Sequence, residues 1–174
     1  MEIQLRSYAV DILTAHYRVT GELRTRGDPT MFLNEANVST LTVHDAVLMP
    51  LRTGMRLGAV AASILHVPKT EPQVLILGNF VPEIKPLPKV ERLICFTDTY
   101  VLRGNFHMGL ETHVSDVFYA LPGPFFYATQ LDIFALYPLA VEVHAMAELA
   151  YIQGSAVRAF YVPEEGEETA PLAS

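Results

Sequence analysis

Two segments 83 residues apart carry nearly the same phrase: residues 17–23 read YRVTGEL and residues 100–106 read YVLRGNF. Large apolar side chains fall at alternate positions in each, Tyr17, Val19 and Leu23 in one and Tyr100, Leu102 and Phe106 in the other, with Gly21 and Gly104 held in step. Period-two alternation marks a half-buried strand, because successive side chains of a strand point to opposite faces. A glycine inside such a strand suits a bend, a bulge or a close backbone approach. A chain that repeats this phrase is constrained toward one small β unit written twice.

Downstream of each copy, the order of segments repeats as well. In GDPTMFLNEAN, Asp28 suits an N-cap, Pro29 suits the first helical position, and Met31, Phe32 and Leu33 give a short helix its apolar side. THVSDVFYALPG predicts the second helix, capped by Thr112 or Ser115 and ended by Pro122. STLTVHDAVLMPL and FFYATQLDIFALYPL then predict paired strands in each half, aligning Thr42 with Thr129 and Asp45 with Asp132. Closing hairpins come next: a strand, a loop at 68–72 and a strand over 74–81 in the first half, a turn at 153–155 and a strand over 157–162 in the second. EIKPLPK between them reads as a linker, since its prolines cannot continue a central strand.

The expected fold is therefore mainly β, with two tandem small bent β-barrels of the Sm-like or SH3-like kind, or half-sandwich units. Each carries one short helix after its first strand. The expected boundaries are 1–81 for the first repeat with a short N-terminal extension, 82–91 for the Pro-rich linker and 92–163 for the second repeat. Residues 164–174 form an acidic tail, expected to be disordered from its glutamates and small residues.

Through RVTGEL, FLNEA and TVHDAVLMPL, the chain resembles small bacterial domains of unassigned function, over about residues 17–81 and again 100–162. The second copy departs from the pattern at Ala120 and Leu121, where the first has Asn34 and Glu35. The resemblance implies no activity and no site residue.

Composition bears on partners. Hydrophobic residues make up 51% and charged residues 18%, against about 25% charged in typical domains. This surplus either fills the core well or is covered by a partner, and a homo-oligomer or protein partner is the expectation. Residues 1–86 hold eight basic and eight acidic side chains, and residues 87–174 hold four and eleven, so the net charge of −7 lies wholly in the second half. Such a balance opposes phosphate backbones, and nucleic acid is not expected to bind. Glu2, Arg6 and Asp11 break the apolar run a signal peptide needs, which points to a cytoplasmic chain. Residues 117–141 carry one charge, Asp132, yet Pro122, Gly123, Pro124 and Pro138 interrupt them, so buried strands rather than a membrane span are expected.

No motif announces chemistry. The six histidines, His16, His44, His66, His107, His113 and His144, lack metal-binding spacing. The lone Cys95 sits in an apolar run and reads as core. Neither a nucleophile elbow nor a phosphate-binding loop is present. No catalytic, metal-binding or cofactor-binding residue is named, and no cofactor is expected.

The candidate binding or interface residues are Arg18, Asn34, Asp45, Arg103 and Asp132. Asp45 and Asp132 could meet about a pseudo-twofold axis and share a proton or a cation, or each could accept backbone hydrogen bonds in a turn. Asn34 reads as a helix C-cap. Arg18 and Arg103 could meet an anion or nucleic acid, but Glu22 and Asp28 sit near Arg18 and are expected to pair with the basic group there.

A non-enzymatic assembly or protein-interaction module is the expected function. The alternative is a protein that holds an apolar or aromatic small molecule between the repeats, lined by Phe118, Tyr119, Phe125, Phe126, Tyr127, Phe134 and Tyr137. An enzyme using the aspartates or histidines stands third.

Overall fold

A computed structural model describes residues 5–78, 85–120 and 123–166. The strands are β1 (Leu5–Leu13), β2 (Tyr17–Arg26), β3 (Thr40–Pro50), β4 (Val60–Pro68) and β5 (Val74–Leu77), then β6 (Lys89–Phe96), β7 (Tyr100–Met108), β8 (Phe125–Ala135), β9 (Met146–Gln153) and β10 (Ala159–Tyr161). Helix α1 (Pro29–Asn34) follows β2, and a 3-10 turn (Val114–Asp116) leading into α2 (Val117–Ala120) follows β7. All ten strands belong to one antiparallel sheet in the order β10-β6-β7-β8-β9-β5-β1-β2-β3-β4.

That order contains one pattern twice. The first half runs β5-β1-β2-β3-β4, the second β10-β6-β7-β8-β9, and the halves join where β9 pairs with β5. Registers agree residue by residue. Val10 opposite Gly21 recurs as Leu93 opposite Gly104, Ile12 opposite Leu75 as Cys95 opposite Phe160, and Ala46 opposite Ala62 as Leu131 opposite Ala147. Even the tight turns match. Thr14 N–H donates to Tyr17 O at 2.9 Å while Tyr17 N–H returns a bond to Thr14 Oγ1, and Thr97 and Tyr100 repeat both bonds at 2.9 Å.

Gly21 and Gly104 sit where the register slips, between Thr20 and Glu22 and between Arg103 and Asn105. A Cβ on Gly21 would lie 2.6 Å from His44 O, a backbone approach too close for a side chain, whereas one on Gly104 would lie 2.9 Å from the side-chain Cδ1 of Leu131 and 3.2 Å from Thr129 O. Opposite them, Asp45 (φ 47°) and Gln130 (φ 49°) take left-handed conformations. Two residues facing one, with a left-handed residue, form a β-bulge that bends the sheet and raises its twist.

Several expectations need correction. β3 and β8 are single bulged strands where two were expected in each half, and the bulges align Asp45 with Gln130 and Val47 with Asp132. β4 and β5 form no hairpin, because β5 pairs with β1 and β9; β10 likewise pairs with β6 and not with β9. The supposed N-terminal extension contains β1, an interior strand of its half. The linker assignment ends too late, since β6 begins at Lys89. The two-barrel expectation is met as antiparallel strand content only: among the described residues the strands form one sheet that hydrogen bonding does not close. The outer end of the strand expected over 74–81, the residues 82–84, Leu121, Pro122 and residues 167–174 of the tail lie outside the described residues.

Two apolar clusters hold the sheet, and each draws on both halves. Val10, Ile12, Leu23, Leu41 and Val43 take in Phe125 and Tyr151 from the second half. Leu93, Leu102, Phe106, Leu131 and Ile152 take in Leu13, Leu51 and Val74 from the first. Cys95 is fully buried in this second cluster, and burial pushes its thiol pKa up. Among the described residues, no helix is long and apolar enough to cross a membrane.

Candidate functional site

The two halves meet where β5 pairs with β9. Val74 faces Ile152 and Leu75 faces Tyr151 across the β5–β9 ladder, and all four side chains are fully buried. Burial of this kind stabilises by roughly 1.5–3 kcal/mol for each large apolar side chain. Polar groups close one end of the ladder: Gln153 N–H donates to Gln73 O, Gln153 Nε2 donates to Lys69 O, and Thr97 Oγ1 donates to Gln73 Oε1 at 2.7 Å.

Helix α1 clamps the same joint. Asp28 caps it by accepting from Thr30 N–H at 2.8 Å, and Pro29 fills its first turn, as the sequence predicts. Thr30 Oγ1 lies 2.6 Å from Tyr151 Oη, a hydrogen bond across the halves. Asn34, the last helical residue, donates from Nδ2 to Thr30 O and accepts at Oδ1 from Phe125 N–H at 2.9 Å. It thus satisfies the first residue of β8 from the other half, and Glu35, not Asn34, is the C-cap. Gly123 lies against it, since a Cβ there would fall 2.3 Å from Asn34 Oδ1.

The remaining candidates separate. Arg18 forms an ion pair with Asp11 at 2.7 Å and donates from Nη1 to Glu142 O across the halves; its hydrogen bond with Asp11 raises its pKa further. Arg103 and Asp132 pair with each other at 2.6 Å on neighbouring strands, and the guanidinium lies over the Phe134 ring. Asp45 stands exposed on the first bulge. Four strands of the sheet lie between β3 and β8, so Asp45 and Asp132 are not brought together as a strand pair. Sequence pattern points to Asn34 and Arg18 but not to their partners, and it passes over Thr30, Gln73, Tyr151 and Gln153. Nothing in local pattern distinguishes those four from ordinary strand and helix residues.

The aromatic residues of the second half mostly pack on one another. Phe118 makes edge-to-face contacts with Phe106, Phe126 and Phe160, and Tyr127 does so with His107 and Tyr151. Two open clefts, of about 240 and 290 Å³, lie where the loop after β3 meets the loop after β8, and of the seven aromatics only Tyr137 lines either. There Arg52 stacks over the Tyr137 ring. No group of three or more His, Cys, Asp or Glu side chains among the described residues is placed to hold a metal ion.

The two outer edges of the sheet contrast with the joint. β4 is the counterpart of β9, yet Tyr151 is fully buried where its counterpart His66 is exposed. Val60 and Ile64 of β4 are 41% and 50% exposed, and Met55 and Leu57 of the preceding loop are also exposed. β10 is the counterpart of β5, with Ala159 exposed and Phe160 half-buried where Val74 and Leu75 are fully buried. Comparison with family models, curated proteins and solved structures finds no match to this chain.

Proposed function

We propose that this chain is a non-enzymatic assembly module: a duplicated small β domain that binds protein by adding strands at the outer edges of its sheet. The supporting observation is β4, a nine-residue edge strand that leaves Val60, Ala61 and Ile64 in the open and buries only Val67, while the equivalent strand of the second half buries Ala147 and the run from Ala150 to Gln153. Unpaired edges present a row of backbone donors and acceptors to a further strand, and natural proteins usually blunt them with charge. β4 carries no Asp, Glu, Lys or Arg. Its one blunting device is Pro68 at the far end.

Light scattering across a concentration series, with native mass spectrometry of the same sample, tests the reading. The expected result is a mass above the 19.3 kDa of one chain that rises with concentration. A mass of one chain throughout, with a small molecule retained, would replace assembly by ligand binding.

A further inference from the structure

The protein holds a worked example of how its own edges pair. The joint sets β9 of the second half against β5 of the first, Val74 opposite Ile152 and Leu75 opposite Tyr151. The shared registers make Val67 the counterpart of Ile152, His66 of Tyr151, Ala159 of Val74 and Phe160 of Leu75. These counterparts lie on the strands at the two ends of the sheet.

We propose that β4 of one copy pairs antiparallel with β10 of a second copy, Val67 opposite Ala159 and His66 opposite Phe160, so that the chain assembles head to tail. This rests on the assembly reading above and names its partner as the chain itself.

Backbone geometry permits the pairing. Lys69 N–H turns inward to Ser39 O, so by alternation along the strand the N–H of His66 points away from β3 and outward. Pro68 stands where Gln153 stands in the joint. It has no N–H to give, and its missing bond faces outward without loss to β3. The outer joint therefore lacks the bonds that Gln153 makes in the inner one, and association is weaker and reversible.

The short helices fit the same scheme. Asn34, one residue past the buried Leu33, reaches the neighbouring half at the inner joint. Tyr119, one residue past the core-packed Phe118, is 86% exposed and available to a neighbouring copy. Head-to-tail contacts generate a ring where the rotation closes and a filament where it does not.

Cysteine pairing tests the register. A non-hydrogen-bonded antiparallel pair brings Cβ atoms within reach of a disulfide, and position 67 faces position 159 in that relation. Full-length Val67→Cys and Ala159→Cys chains are mixed under mild oxidation and resolved on non-reducing gels, with intact mass measured. The expected product is a disulfide-linked pair of chains that forms at least tenfold faster in the mixture than in either variant alone. Ser63→Cys mixed with Ala159→Cys, out of register, should give none above background. Wild type should give none, because Cys95 is buried. Native circular dichroism of each variant establishes that it folds, and His66→Pro, which removes one outward N–H, should lower the mass toward one chain.

The outcomes separate the two readings. An oligomer that forms without the 67–159 link, or links equally fast through Val67→Cys alone, overturns the head-to-tail joint and leaves assembly standing. A single-chain mass at every concentration overturns both.

Discussion

At the scale of single residues, two glycines mark where the sheet bends, and their surroundings rank what replacing them costs. The Cβ of Gly21→Ala meets a backbone oxygen, His44 O, at 2.6 Å, whereas that of Gly104→Ala first meets the movable end of Leu131 at 2.9 Å. Overpacking against an unyielding wall costs roughly 1–3 kcal/mol. Gly21→Ala is therefore expected to lie near the top of that range and Gly104→Ala near the bottom, as read by urea denaturation. His107 gives a pH test. Its ring meets Thr129 Oγ1 at 2.9 Å, and burial lowers its pKa. With the folded value below the unfolded one of about 6.5, both states are neutral above that pH and the residue contributes no pH dependence. As pH falls through about 6.5, the unfolded chain takes up its proton first and stability drops until the folded value is passed. His107→Gln, which retains a partner for Thr129, should flatten that part of the stability profile relative to wild type.

At the scale of elements, α1 shows how a six-residue helix can matter more than its length suggests. Isolated helices of this size do not persist in water. Its stability comes from the Asp28 cap, from buried Pro29 and Leu33, and from Asn34 and Thr30 reaching the other half. Asn34→Ala strands the N–H of Phe125, a loss of about 1–3 kcal/mol for a buried donor. Calorimetry should show that loss, while an Ala at the exposed Met31 of the same helix should change stability by no more than about 0.5 kcal/mol. The cap and the first-turn proline were legible from DPT alone, because capping is local chemistry. Asn34 was legible only as a polar helix end; its partner lies 91 residues away.

At the scale of the whole molecule, the halves are joined through shared clusters and not merely by a linker. Phe125 and Tyr151 complete the core of the first half, and Leu13, Leu51 and Val74 complete that of the second. Each half therefore loses part of its core when the other unfolds. Equilibrium unfolding is accordingly expected to be a single transition, with far-UV and near-UV circular dichroism coinciding. Two separated transitions would show halves that fold independently.

What the sequence alone determined here is local: strand content from period-two alternation, the bends from Gly21 and Gly104, the first helix from Asp28 and Pro29, and the recurrence of the phrase itself. Those features depend on a few neighbouring residues and the geometry of one strand or turn. Tertiary structure alone decided that β5 leaves β4 to lie between β1 and β9, that Asp45 matches Gln130, and that Asp132 belongs to Arg103. Alternation shows which face of a strand is buried but carries nothing about which strand lies beside it. A bulge shifts register by one residue without changing composition, so similar strands can be aligned plausibly and wrongly. Which edges remain open follows only after every other strand has found its partner.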